Sequence, residues 1–171
     1  MIIDHNQVET VESFKYLGTT LDTRLSFNQN TDHIFKKAQQ RLYLLRKLQF
    51  FDVSMHILET VYRSLIESIL AFNMVTWYGN LSVKNQTRLR RIVNSASKII
   101  GKQQLSPSDL YLTALKRQSS AIFNDPLHPL NPLFERLPSG RRLKMPLAKK
   151  NVFKKSFIPC AVSLLNKTVF K

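Results

Sequence analysis

Apolar side chains recur at three- and four-residue spacing through most of residues 31–100, which is the spacing of one helix face. Three segments show this pattern, and each predicts one amphipathic helix: residues 31–48, 54–79 and 82–100. Serines stand at the predicted starts of the second and third helices, and Gly79 and Gly101 stand near their ends. Three helices with short connections predict an antiparallel bundle.

The segment before these helices favours extended structure. Residues typical of strands are spread through it: Val8, Val11, Phe14, Tyr16 and Leu17. Gly18 can supply a bend, so the pattern predicts a short β-hairpin within residues 8–25. Asn28 or Asn30 is the predicted cap of the first helix.

The C-terminal region begins with a strong helix start and continues with prolines. Ser106 and Pro107 predict a fourth helix that reaches about Ile122. Prolines from position 126 onward exclude a long helix, and only residues 157–165 regain a compact apolar character. We therefore predict a mainly α fold with a hairpin in 1–27, a helical bundle in 28–102, and a fourth helix with an irregular basic tail in 103–171.

The net charge of the chain is +15, from 26 Lys+Arg against 11 Asp+Glu. A field of this sign attracts phosphate polyanions and, less specifically, an anionic membrane surface. The longest apolar zone, residues 57–78, contains Glu59, Arg63 and Glu67, so we expect no membrane span. The sequence shows no signal-peptide pattern, and we expect an intracellular protein, nuclear or cytoplasmic.

Two groups of basic residues are the predicted phosphate contacts. The first lies on the third helix: Lys84, Arg88, Arg90 and Arg91. The second lies in the tail: Arg141, Arg142, Lys144, Lys149, Lys150, Lys154 and Lys155. Such contacts add affinity without reading sequence. The alternatives are a solvated helix face for the first group, and a nuclear-localisation patch or a merely solubilising run for the second.

The sequence lacks the short motifs of common enzymes and metal sites. Its four glycines form no phosphate-cradling loop, and no histidine is followed two residues later by Asp, Glu or His. A single cysteine, Cys160, excludes an internal disulfide. No paired acids of the kind that hold two Mg²⁺ ions in a polymerase occur. We therefore expect no catalytic site, no metal and no cofactor.

The stretch Phe14-Lys15-Tyr16-Leu17-Gly18, followed by Leu21-Asp22, resembles the hairpin that closes the palm of LINE-type (non-LTR) retrotransposon reverse transcriptases. The predicted helices resemble the thumb of that family. Four short tail motifs resemble its C-terminal signature, in the family's order: residues 125–130, 137–142, 156–159 and 164–166. The resemblance extends over about residues 8–166.

This resemblance implies a remnant of an RNA-directed DNA polymerase that binds RNA or DNA through phosphates. The family's catalytic aspartates would lie before Met1, so we expect no turnover, and a separate polymerase palm is a second implied partner. Phe14, Tyr16, Leu17 and Gly18 correspond to the primer side of the hairpin. They would help to position a primer end, or they are strand residues that pack on the bundle.

Residues 14–48 also resemble the segment named as the N-terminal domain of AlkB homologue eight, a tRNA-modifying dioxygenase and methyltransferase. The iron triad of the dioxygenase and the glycine-rich cofactor loop of the methyltransferase are absent from this sequence. Three interpretations remain open: a nucleic-acid-binding remnant, an inert or interaction-only product of a decayed element, and a fragment related to the AlkB homologue. The sequence does not indicate an oligomeric state.

Overall fold

The computed structural model describes residues 2–3, 6–7 and 9–169 of the chain. Strands β1 (Ile2–Ile3) and β2 (Asn6–Gln7) form one short antiparallel pair. Strands β3 (Ser13–Tyr16) and β4 (Thr19–Asp22) form the predicted hairpin, in which Phe14 lies opposite Leu21. Together with the helices described below, this hairpin confirms the predicted mainly helical fold. Val8, the first residue of the predicted hairpin segment, lies outside the described residues.

Three helical segments form an up-down-up bundle. Helix α1 (Asn28–Phe50) and helix α5 (Val83–Ile100) run in the same direction, and their first turns are joined by the Asn85 amide, which donates to Asn28 Oδ1 at 2.8 Å. Helix α2 (Met55–Tyr62) returns along both of them. In the middle of α2, Glu59 pairs with Lys102, which follows the end of α5. This arrangement matches the antiparallel bundle that the short connections predict.

Local signals fix the ends of α5 and of the next helix, α6 (Pro107–Asn124). The Ser82 hydroxyl accepts from the Asn85 N–H, and the Ser106 hydroxyl accepts from the Asp109 N–H. Gly101 closes α5 in the left-handed region, with φ 77°. Inward-facing side chains of α1, α2, α5 and the residues between α2 and α5 build a common core, and several are fully buried: Leu45, Tyr62, Ile66, Leu70, Trp77, Leu89 and Val93.

The long second helix predicted for residues 54–79 is wrong. After α2 the chain continues as a π-helical turn (Arg63–Glu67) and helix α3 (Ser68–Ala71), then breaks before helix α4 (Met74–Trp77) and a 3₁₀ turn (Tyr78–Asn80). Asn73 takes a left-handed conformation, with φ 49°. Its amide donates to Thr19 Oγ1 at 3.0 Å, and Trp77 Nε1 donates to the Phe72 carbonyl at 3.0 Å. These tertiary bonds stabilise a break that neither glycine nor proline marks.

The C-terminal region is more ordered than the predicted irregular tail. Residues 125–150 contain only a 3₁₀ turn (Asn131–Leu133) and an isolated bridge, as expected. Helices α7 (Asn151–Lys154) and α8 (Phe157–Thr168) follow, and α8 packs on α6. Asn166 Oδ1 accepts a hydrogen bond from the Leu143 N–H at 2.7 Å, and Asn166 Nδ2 donates one to the Leu143 carbonyl at 3.0 Å. This pair of bonds, with the buried side chain of Leu143, anchors the irregular segment to α8.

Among the residues that the structure describes, no helix combines the length and the apolar character needed to cross a lipid bilayer.

Asp22 organises the turn between the β3–β4 hairpin and α1. Its carboxylate accepts from the backbone N–H groups of Arg24, Ser26 and Phe27, at 2.8–3.0 Å, and from the Ser26 hydroxyl at 3.0 Å. The chain then enters α1 through Phe27, which is left-handed, with φ 56° and without a side-chain cap. The predicted asparagine cap is therefore wrong, because Asp22 binds the backbone of this turn.

Replacing Asp22 by asparagine should lower the free energy of unfolding by about 1–3 kcal/mol, because one acceptor oxygen of the charged group is lost. Burial raises the pKa of the Asp22 carboxyl, but the hydrogen bonds from Ser26, Phe27 and Arg24 outweigh it and hold the pKa below 3.8. A lowered folded-state pKa gives stability that is present above pH 3.8 and is lost as the pH falls further. Urea unfolding between pH 2 and 7 should show this loss in the native chain, and a smaller one in Asp22→Asn. Equal pH profiles would contradict the assignment.

Candidate nucleic-acid interface

The predicted basic group on α5 divides between two sides of the helix. At 100° per residue, Lys84, Arg88 and Arg91 share one side, whereas Arg90 projects from another. Burial raises the pKa of Tyr78, and the positive charge of Arg90 opposes that rise. Arg90 therefore lies on the side of α5 that faces the 3₁₀ turn Tyr78–Asn80. The four residues therefore do not form one surface.

Arg88 holds α5 against α1. Its guanidinium lies 2.6 Å from Asp32 Oδ1 and 3.1 Å from Asn85 Oδ1, and it covers the Phe35 ring at 4.4 Å. Its side chain is 28% exposed. These contacts assign Arg88 to positioning α1 and α5, and its predicted phosphate contact stays a prediction.

A shallow cavity of about 320 Å³ runs between α1 and α5, and we call it the α1–α5 groove. Arg46 of α1 and Arg91 of α5 both line it, together with the polar side chains of Gln39 and Ser95. Both arginines are exposed, and neither forms an ion pair within the described part of the chain. The groove therefore offers guanidinium donors from two separate helices at one surface.

Sequence reasoning missed Arg46 as a member of this site. The predicted phosphate contacts do not include it, because the pairing of α1 with α5 was unknown. The available signal was its position four residues after the buried Leu42, which puts it at the edge of the α1 apolar stripe. Lys84, one turn before Arg88 on α5, is exposed at the N-terminal end of the helix.

The basic residues of the tail are exposed and lie around α7 and the preceding turn. Arg141 and Arg142 follow Gly140, which has φ 67°, in the segment that Leu143 anchors to α8. Lys144 is paired with Glu135 at 3.1 Å, although both side chains remain exposed. The other four surround α7: Lys149, Lys150, Lys154 and Lys155. This second basic surface belongs to the elements that pack on α6, separate from the α1–α5 groove.

The hairpin residues singled out from the sequence project into solvent. Phe14 is 60% exposed, Tyr16 is 58% exposed and Leu17 is 75% exposed, so the interpretation that they pack on the bundle is wrong. The hairpin is held by other residues, chiefly the buried Thr19. Gly18, with φ 83°, passes so close to Phe72 that a Cβ atom would lie 3.0 Å from its ring. A role for this hairpin at a primer end stays a prediction.

The aromatic pair Trp77 and Tyr78 is buried, at 0% and 7% exposure, so neither ring presents its face to a nucleic-acid base. No group of three or more His, Cys, Asp or Glu side chains within the described residues is arranged to hold a metal ion. The expectations that the chain has no metal, no cofactor and no catalytic site stay predictions.

Comparison with protein families gives one match. The family described as alkylated DNA repair protein alkB homolog 8, N-terminal, matches residues 27–68, about a quarter of the chain. The resemblance predicted for residues 14–48 is thus confirmed in kind but lies further along the chain, from the start of α1 to the start of α3, without the hairpin. No curated protein and no solved structure matches the chain. Over residues 27–68 the chain is similar to that N-terminal segment.

Proposed function

We propose that this chain binds the sugar-phosphate backbone of RNA or DNA and catalyses no reaction on it. The observation that supports this most is the α1–α5 groove, which Arg46 and Arg91 both line, each without an ion-pair partner among the described residues. Guanidinium groups bind phosphate oxygens in a bidentate manner. A net charge of +15 adds long-range attraction for a polyanion.

The proposal extends to origin: a thumb-and-tail remnant of a LINE-type reverse transcriptase that acts with a separate polymerase palm. Its support is the order of the motifs, from the hairpin stretch near residue 14 to the tail motifs that end at residue 166. The hairpin followed by a three-helix bundle is the arrangement that this origin implies. On this proposal the bundle grips phosphates and the palm supplies the catalytic metals.

The family match favours a second candidate. Residues 27–68 would then correspond to the N-terminal segment of the alkylated DNA repair homolog. The chain would belong to a protein related to that tRNA-modifying enzyme. Calorimetry with iron(II) and with a methyl donor separates the candidates. Specific binding of either ligand favours the second, whereas duplex binding without them favours the first.

Reversing the charge of the groove should weaken binding to any nucleic-acid duplex. We expect Arg46→Glu/Arg91→Glu to raise the Kd for a 20-base-pair duplex by about tenfold to a hundredfold, since two solvent-exposed contacts are lost at roughly 0.7–1.4 kcal/mol each. Duplexes of different sequence should be affected equally, because phosphate contacts carry no sequence information. Fluorescence anisotropy with labelled duplexes measures both effects.

A matched control changes the same amount of charge elsewhere. Lys116→Glu/Arg117→Glu alters two exposed residues of α6, outside the groove, and should raise the Kd by less than about threefold. All four positions are exposed, so circular dichroism should show native helix content in both variants. If the control weakens binding as much as the groove variant, only net charge matters, and the interpretation as an inert or interaction-only product is favoured.

A further inference from the structure

A separate cavity of about 220 Å³ lies where the β3–β4 hairpin meets α1 and the α3–α4 break. Its polar lining comes from Lys15 of β3 and from Asn30, His33 and Lys37 of α1, and Ile69 and Phe72 form part of its apolar wall. We call it the hairpin cavity. It is distinct from the α1–α5 groove, because the two sets of lining residues have no member in common.

Asn30 contributes a buried hydrogen-bond donor that lacks a partner. The residue is 3% exposed, and its Oδ1 accepts from the Thr20 N–H at 3.1 Å. This bond fixes the orientation of the amide, and its Nδ2 then has no acceptor within the described part of the chain. A buried donor without a partner is costly and calls for an explanation such as a bound ligand. The ligand that fits must present an acceptor.

No acidic residue is among the described residues that line the hairpin cavity, and its ionisable side chains are all basic. Lys15 approaches from the hairpin, and His33 and Lys37 lie one turn apart on α1. Burial lowers the pKa of His33, and the charges of Lys37, Lys15 and Lys36 lower it further, so these lysines act on the cavity together. Asp32, the acid next in sequence to His33, pairs with Arg88 toward α5. An anion entering the cavity therefore meets donors and positive charge.

We propose that the hairpin cavity binds the terminal phosphate of a nucleotide, with Lys15, Lys37, His33 and the Asn30 amide as its donors. A terminal phosphate fits better than an internal one, since a cavity of about 220 Å³ has room for one phosphate group, whereas an internal phosphate would bring a nucleoside on each side of it. Ile69 and Phe72 offer the attached nucleoside an apolar and aromatic wall. The choice of a nucleic-acid end as ligand rests on the proposed function, whereas the phosphate site itself does not.

The test compares a single-stranded hexanucleotide that carries a 5′-phosphate with the same strand that carries a 5′-hydroxyl, using the full chain. We expect about tenfold tighter binding of the phosphorylated strand, together with shifts of the Asn30 side-chain amide and His33 ring signals in NMR spectra. Nucleoside monophosphate and inorganic phosphate serve as competitors. If either displaces the 5′-phosphate at comparable concentration, the ligand is a free phosphate compound; if only the phosphorylated strand binds, it is a nucleic-acid end.

Variants make the site assignment decisive. Lys15→Gln/Lys37→Gln should abolish the preference for the 5′-phosphate, and Asn30→Asp should do the same while keeping the oxygen that Thr20 requires. The control Lys98→Gln/Lys116→Gln removes two exposed lysines outside the cavity and should preserve the preference for the 5′-phosphate. Arg46→Glu/Arg91→Glu should weaken both strands equally, so failure of the groove and failure of the cavity give different results. A preference that survives in both cavity variants, or equal binding of the two strands to the native chain, would overturn the proposal.

Discussion

Alanine at position 79 should destabilise the chain by about 1–3 kcal/mol and loosen the C-terminal region from the bundle. Gly79 lies in the 3₁₀ turn after α4, where a Cβ atom would approach the Lys155 carbonyl oxygen to 2.4 Å and the Tyr111 hydroxyl to 3.1 Å. A backbone oxygen cannot yield as the end of a flexible side chain can. The turn at Lys155, and α8 behind it, must therefore move away from the 3₁₀ turn that contains Gly79.

Urea unfolding measures the loss of stability, and limited trypsin digestion at the lysines around α7 measures the loosening. Gly101→Ala is the control, because that position has open space within 4 Å and carries only the strain of φ 77°. It should reduce stability without accelerating cleavage around α7. If Gly79→Ala is as stable and as resistant to trypsin as the native chain, the C-terminal region does not pack on the bundle as described.

The elements that depend on neighbouring residues could be predicted from the sequence. Ser82, Ser106 and Gly101 fix the ends of α5 and α6 through contacts within a few residues, and both helices lie within about two residues of the prediction. The hairpin bend at Gly18 is of the same kind, since it follows from local propensity.

Features that depend on distant partners could not be predicted. The break after α3 relies on Asn73 meeting Thr19, and the anchoring of the tail relies on Asn166 meeting Leu143. The sequence does not indicate that Arg88 pairs with Asp32, because the pair forms only when α1 and α5 pack together. Arg46 lines the α1–α5 groove for the same reason, since the groove exists only where the two helices pack. In each case the deciding contact joins residues that no sequence pattern connects.

The division of the α5 basic group could have been anticipated. Arg90 and Arg91 are adjacent, and adjacent residues on a helix project about 100° apart. Grouping them by density along the chain, without regard to helical phase, assigned them to one surface. The structure separates Arg91, in the α1–α5 groove, from Arg90, near Tyr78.

Affinity for a nucleic-acid duplex should fall steeply with added salt, and this is the largest effect that we expect. Each phosphate neutralised contributes about −0.9 to the slope of log K against log salt on B-DNA. Contacts from the α1–α5 groove and the tail to about five phosphates would give a slope near −4.5, or roughly a 500-fold loss between 50 and 200 mM salt. A weakly attracted neutral surface would show almost no such loss.

The contribution of the tail is best tested by substitution, and not by truncation. Removing the residues after position 140 would also remove Val162 and Leu165, which are buried in the core. Glutamine at six exposed tail positions neutralises the second surface while keeping α8: Arg141, Arg142, Lys149, Lys150, Lys154 and Lys155. We expect this variant to have a salt slope shallower by about 2–3, which corresponds to two or three lost phosphate contacts.

Binding of the groove to phosphates is best measured by titrating a labelled duplex with the native chain, the Arg46→Glu/Arg91→Glu variant and the α6 control at 50–300 mM salt. We expect a steep slope of log K against log salt for the native chain and the α6 control, and a slope shallower by about 2 for the groove variant. A native slope near zero, or one that changes equally in both variants, would contradict the claim that the α1–α5 groove binds the phosphate backbone.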